Sequence, residues 1–300
     1  MGSGSFDACA YRAFASSAAS KTTDEIYTSA SLDASLNPKG VKVRESRDSA
    51  DNPNSTPIIV AIDVTGSMGI IADVLARQGL GTLFQEILDR KPITDPHLMF
   101  MAIGDANHDR APLQVSQFEA DNRIVEQLTK IFLEKGGGGN CFESYNLAHY
   151  FAANHTEHDS YVKRAKRGYL FTVGDEDVPA ALTQDQIKTF VGDTVQADVS
   201  AEESLQDAER TYDVFHIIVE EGDYARRALD RVVSGWTRLM GQSAIRMPDH
   251  EKLSETIVSI IEAREGLATA KTASRFGTTV FSSVKHLAPS RTAKPLMIAQ

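Results

Sequence analysis

Asp63, Thr65 and Ser67 occupy alternate positions directly after Ile58-Ile-Val-Ala-Ile62, a run of five apolar residues rich in β-branched side chains. A carboxylate and two hydroxyls at that spacing on one turn can converge on a small volume. All three are oxygen ligands of the kind a hard divalent cation prefers, Mg²⁺ first, with Mn²⁺ or Ca²⁺ as substitutes. Two further carboxylates, Asp105 after Leu98–Ile103 and Asp175 after Tyr169–Val173, follow apolar runs in the same way. The competing account of each is a helix cap, in which the same oxygens satisfy free backbone N–H groups. For Asp105 the turn-forming Gly-Asp pair is a sufficient explanation by itself.

Those residues need elements to bring them together. Ile58–Ile62, Leu98–Ile103, Tyr169–Val173 and Tyr212–Val219 read as buried strands, and Ser243–Met247 as a short last strand. Leu113–Phe118 alternates as a half-exposed edge strand does. Between them, helical spacing predicts helices over 70–88, 122–133, from about 141 through 154, 184–191, 201–210, 225–240 and 251–264. Strand–helix alternation predicts an α/β fold: a doubly wound, mostly parallel central sheet with one antiparallel edge strand and helices on both faces. In such sheets ligands sit beyond the carboxyl ends of the strands, where strand order reverses, which is where Asp63, Asp105 and Asp175 fall. Residues 1–55, rich in Ser, Ala, Asp and Asn, read as an extended arm with a short helix near Tyr11–Ala19. Residues 56–265 read as the domain and 266–300 as a tail, weakly amphipathic at Val280–Leu287.

Composition narrows the function classes. The 300 residues carry 41 acidic against 31 basic side chains, a net charge of −10, which disfavours a nucleic-acid or anionic-membrane surface. Two cysteines, Cys9 and Cys141, make no disulfide framework or thiolate zinc site. No apolar run approaches the roughly 20 residues of a membrane span. The opening residues lack the pattern of a secretory leader, and Phe6 breaks a myristoylation pattern. The expectation is a cytoplasmic protein. Gly136–Gly139 lacks the following Lys-Ser/Thr of a phosphate loop and is read as letting backbone approach the cation. His149, His155 and His158 have zinc-like spacing, but a solvated helix end accounts for them more simply. Glu176 and Asp177 read as a solvated acidic turn, and Trp236 as a core anchor.

Taken together, Asp63-Val-Thr-Gly-Ser67, a glycine-rich loop and Asp175 resemble a von Willebrand factor A domain with its metal-ion-dependent adhesion site, over residues 56–265. That family carries Asp-x-Ser-x-Ser after the first strand, a Thr in the glycine-rich loop and an Asp after the fourth strand; Thr65 stands for the middle Ser. The resemblance implies metal ligation by Asp63, Thr65, Ser67 and Asp175, with an open position for a partner's carboxylate. The loop Gly136–Ser144 departs from the pattern, with no threonine. Asn140 and Ser144 offer neutral oxygens there, and Glu143 a charged one that would tighten the site. Intracellular relatives of this kind suggest a partner such as an AAA+ ATPase or a multi-subunit assembly. Two other classes stand beside this binding module: a metal-dependent hydrolase using the same acids, with Glu143 or Asp105 as base, and a structural subunit with a vestigial site.

Overall fold

The computed structural model describes residues 4–19, 21–68, 71, 80–133, 140–267, 280 and 283–290. Six strands form the central sheet: β2 (Thr56–Asp63), β3 (Pro96–Ile103), β4 (Leu113–Val115), β6 (Gly168–Gly174), β9 (Tyr212–Val219) and β10 (Ala244–Met247), in the order β10-β9-β6-β2-β3-β4. All neighbours are parallel except β3 and β4. The chain begins the sheet at its centre with β2, builds outward through β3 to β4, then returns to the other side of β2 with β6. Strand order therefore reverses between β2 and β6, and a crevice opens beyond their carboxyl ends.

Every residue of β2, β3, β6 and β9 is buried. That explains why these segments read as continuous apolar runs, since a parallel sheet is covered on both faces. Ile58, Val60 and Ile62 turn to one face, where the helices Leu80–Arg90 and Leu253–Arg264 pack. Ile59 and Ala61 turn to the other, against the helices Tyr145–His155, Ala201–Ala208 and Asp223–Met240. The long helix Asp223–Met240 bends at Ala228, whose φ of −139° is not helical.

Several expected elements differ. The antiparallel edge strand keeps only Leu113–Val115, after which contact with β3 continues as a single bridge between Leu98 and Glu119. The helix expected over 122–133 spans Arg123–Leu128. Of the helix expected over 70–88, Ile71 and Leu80–Arg90 are helical, while Val74 and Leu75 lie outside the described residues. The loop Gly136–Gly139 and most of 266–300 also lie outside them, although Val280 and Val284 are buried against the domain.

The segment expected as an extended arm is packed. It forms helices Ala8–Ala19 and Thr23–Ile26 and buries Tyr11, Ile26, Tyr27 and Leu36 in the core. Phe6 stacks on Phe84 with ring centroids 4.5 Å apart. The strand β1 (Arg44–Ser46) pairs in parallel with β5 (Thr156–His158), and β7 (Ala181–Leu182) pairs antiparallel with β8 (Val199–Ser200), two small sheets without a sequence signal. The apolar residues of the N-terminal segment are too widely spaced to register as periodicity, and partners such as Phe84 lie far along the chain. Among the described residues no helix is long and apolar enough to cross a membrane.

Candidate metal centre

Asp63 is the last residue of β2 and is fully buried, so its carboxylate sits beneath the turn that leaves the sheet. Its Oδ1 accepts the backbone N–H of Thr65 at 2.9 Å and the Thr65 hydroxyl at 2.6 Å. Its Oδ2 accepts the Tyr145 hydroxyl at 2.9 Å. Thr65 Oγ1 lies 3.3 Å from Ser67 Oγ, and Ser67 Oγ donates to Asp175 Oδ1 at 2.9 Å. The four residues singled out first, Asp63, Thr65, Ser67 and Asp175, thus form one continuous polar chain across the crevice between β2 and β6.

The surroundings hold that chain in place. Asp175 Oδ2 accepts the N–H of Tyr224 at 2.8 Å, and the Ser67 carbonyl accepts the N–H of Asp223 at 3.0 Å. Both donors belong to the first turn of Asp223–Met240, where free N–H groups favour negative charge. A Cβ at Gly222 would overlap Asp175, and one at Gly174 would overlap the Tyr145 hydroxyl. Two glycines are therefore required by close approach. Behind the site His216 stacks on Trp236 with centroids 3.5 Å apart, and Tyr145 meets both rings edge-on.

Electrostatics runs against the carboxylates. Burial, and then the neighbouring Asp175 charge, pushes the Asp63 carboxyl well above its ordinary range; burial likewise raises Asp175. Glu176 is pushed up to about 8 by burial and by the charges of Asp63 and Asp175. Burial, with Asp63 and Glu176 next, raises Glu143 further still. Such a cluster favours whatever offsets its negative charge, a proton or a cation. Hydroxyl and carboxylate oxygens are the donor set that Mg²⁺, Mn²⁺ or Ca²⁺ takes, and one Oε of Glu143 and one of Glu176 are buried without a hydrogen-bond partner. The residues present fit a divalent cation.

The remaining candidates divide. Glu143 is buried beside the four, only 3% exposed. Asp105 is buried too, but its oxygens are taken by Asn107, by the Asn140 amide at 2.6 Å and by the His108 ring, so it organises its own turn. Asn140 presents its NH₂ to that carboxylate, and its carbonyl oxygen faces the Phe142 N–H. Ser144 Oγ accepts the Ala106 N–H at 2.9 Å, tying the loop to the end of β3. Both side chains are hydrogen-bonded at the turn that follows β3 or within their own loop.

Other readings are corrected. Glu176 is not a solvated turn: it is 6% exposed, and its carbonyl accepts the Trp236 indole N–H at 2.9 Å. Asp177 pairs with Arg231 at 3.1 Å. His149, His155 and His158 are not a solvated helix end, for all three are buried, nor do they converge. His155 Nε2 contacts Asp193 at 2.7 Å, His158 Nδ1 accepts the Tyr161 N–H, and neither ring nitrogen of His149 has a hydrogen-bond partner. Cys9 and Cys141 are both free. Tyr145 and Glu176 are the site residues that sequence reasoning missed; adjacency to Asp175 was the one available signal, and only for Glu176.

No family model and no curated protein matches the chain. Solved structures with a related shape include the pilus adhesin SpaC of Lactobacillus rhamnosus GG in its open conformation. That match has a TM-score of 0.44 and 5% identity, covering 79% of this chain and 31% of the adhesin. A von Willebrand factor type A protein from Catenulispora acidiphila gives 0.37 at 11% identity, covering 70% and 42%. The pilus tip protein Mfa5 from Porphyromonas gingivalis, through three N-terminal domains, gives 0.40 at 10% identity, covering 71% and 52%. This chain thus spans from about a third to about half of each of those chains. The fold class stands on the strand order alone.

Proposed function

We propose that this chain is a non-catalytic recognition module that holds a divalent cation at the carboxyl edge of its sheet and uses it to bind an acidic group of a partner protein. The observation that carries this reading is the continuous chain Tyr145–Asp63–Thr65–Ser67–Asp175 at the point where strand order reverses. Thr65 and Ser67 offer hydroxyl oxygens to the ion, while Asp63 and Asp175 balance its charge. The bound cation supplies an electrophilic position for a carboxylate oxygen. Beside it runs a groove of about 440 Å³, lined by Phe142, Asp177, Arg231, Trp236 and Leu239, with room for residues flanking that carboxylate. A cytoplasmic assembly, with an AAA+ ATPase as one kind of partner, belongs to the same proposal through the family resemblance.

The test uses immobilised synthetic peptides carrying a single Asp or Glu, compared with Asn or Gln counterparts. Retention of the purified chain should require both the acid and a divalent cation, be reversed by EDTA, and be absent from Asp63→Ala. Equal retention by acid and amide peptides, or indifference to EDTA, counts against it. A hydrolase is the second reading, favoured by one observation: Asp105 orients the His108 ring, whose side chain is 45% exposed at the rim. Turnover of phosphoester or peptide libraries that is lost in both Asp63→Ala and His108→Ala would replace the first reading.

A further inference from the structure

The groove beside the centre carries one cation that the chain itself does not neutralise. The helix Asp223–Met240 lines it with Arg231, Ser234, Gly235 and Arg238, which share one face at positions i, i+3, i+4 and i+7. Ser234 and Gly235 are small and leave a gap between the two arginines. Asp177 reaches into that gap, for a Cβ at Gly235 would come within 2.6 Å of Asp177 Oδ1. Asp177 pairs with Arg231 at 3.1 Å, and Arg231 also bonds the Cys141 thiol and lies over the Phe142 ring. Arg231 is therefore occupied. Arg238 is exposed, and among the described residues it has no ion-pair or hydrogen-bond partner. Phe142 and Leu239 add apolar surface, and Glu202, at the start of the helix Ala201–Ala208, adds an exposed negative charge to the lining.

We propose that this groove docks an acidic segment of the partner protein, which sets an apolar side chain against Phe142 and Leu239 and a second carboxylate on Arg238. The proposal rests on the cation-centred reading for the segment's first carboxylate alone, since the contact with Arg238 needs no ion. An arginine with its whole fork free matches a carboxylate with two parallel hydrogen bonds, and apolar surface beside it excludes water that would weaken the pair. Glu202 repels an acid from its own part of the lining, so the segment has one favoured placement. A volume of about 440 Å³ suits a few side chains of a short segment.

The test is fluorescence anisotropy of the full-length protein with labelled synthetic peptides in Mg²⁺. Each peptide carries one anchoring Asp, a neighbouring Leu, and a second Asp, Asn or Lys placed two to five residues to either side of the anchor. In the favoured placement the second Asp should tighten binding about three- to fivefold over Asn, and Lys should weaken it. Leu→Ser in the peptide should weaken it further. Arg238→Glu should reverse the order, so that the Lys peptide binds better than the Asp peptide. A merely structural role for Arg238 would not produce that exchange, and an exposed, unpaired side chain can be replaced without loss of melting temperature. Equal affinity for Asp, Asn and Lys peptides in every placement overturns the groove, even where EDTA abolishes all binding and upholds the cation. A wild-type order in Arg238→Glu overturns the assignment to Arg238. Binding that ignores EDTA but keeps its preference for the second Asp upholds the groove and overturns the cation-centred reading. Absence of binding to every peptide overturns both.

Discussion

The Tyr145 hydroxyl donates to Asp63 Oδ2 at 2.9 Å, joining the first residue of a helix to the last residue of the first core strand. Asp63 Oδ1 is engaged by Thr65, so Tyr145 is the donor that orients the other oxygen. Tyr145→Phe leaves that oxygen buried without its donor, at a cost of about 1–3 kcal/mol. Denaturant titration of the metal-free protein measures it, and an unchanged midpoint would show that the bond contributes nothing. Gly174→Ala, which drives a methyl group into the same hydroxyl, should destabilise by a similar ~1–3 kcal/mol.

Cation binding should appear as stability. An ion that binds the folded chain alone adds about 2.7 kcal/mol at a hundred times its dissociation constant. Thermal melts with Ca²⁺ or Mg²⁺ against EDTA should show that gain in the wild type and its loss in Asp63→Asn and Ser67→Ala. Thr65→Ser, which keeps the hydroxyl, should retain it. Equal gains in wild type and Asp63→Asn would place the ion elsewhere.

His149 predicts an acid limb in the stability profile. Burial lowers its pKa from 6.5 to about 4, and His216 close by is lowered as well. Between those values the unfolded chain holds the extra proton, so stability rises with pH there. The contribution is complete above pH 6.5 and is lost as pH falls toward 4, on the order of 3 kcal/mol. His149→Phe should flatten this limb. A wild-type slope in that variant would assign the acid sensitivity to other groups.

Leu36, 2% exposed, anchors the N-terminal segment, and its carbonyl accepts the Val115 N–H of the sheet edge at 2.7 Å. Leu36→Ala should cost about 2–5 kcal/mol, as for a core leucine, and should expose the preceding residues to protease. A loss below ~0.5 kcal/mol would mean the segment is peripheral to folding.

Local chemistry made part of this protein legible in one dimension. A strand buried on both faces needs a continuous apolar run, so β2, β3, β6 and β9 stood out, and their alternation with helices implied the doubly wound sheet. Asp63, Thr65 and Ser67 lie within five residues, and their convergence follows from one turn. Asp175 follows from the switch point, because strand order carries it to Ser67. The tertiary structure alone decided the rest. Glu176 looked solvated until Trp236, sixty residues later, covered it. Glu143 is buried in a loop that pairs with Asp177, whereas Asn140 and Ser144 are held by Asp105 and Ala106. Local spacing encodes which way a side chain points. Whether a charge there meets water, a donor or a cation depends on segments that only folding brings near.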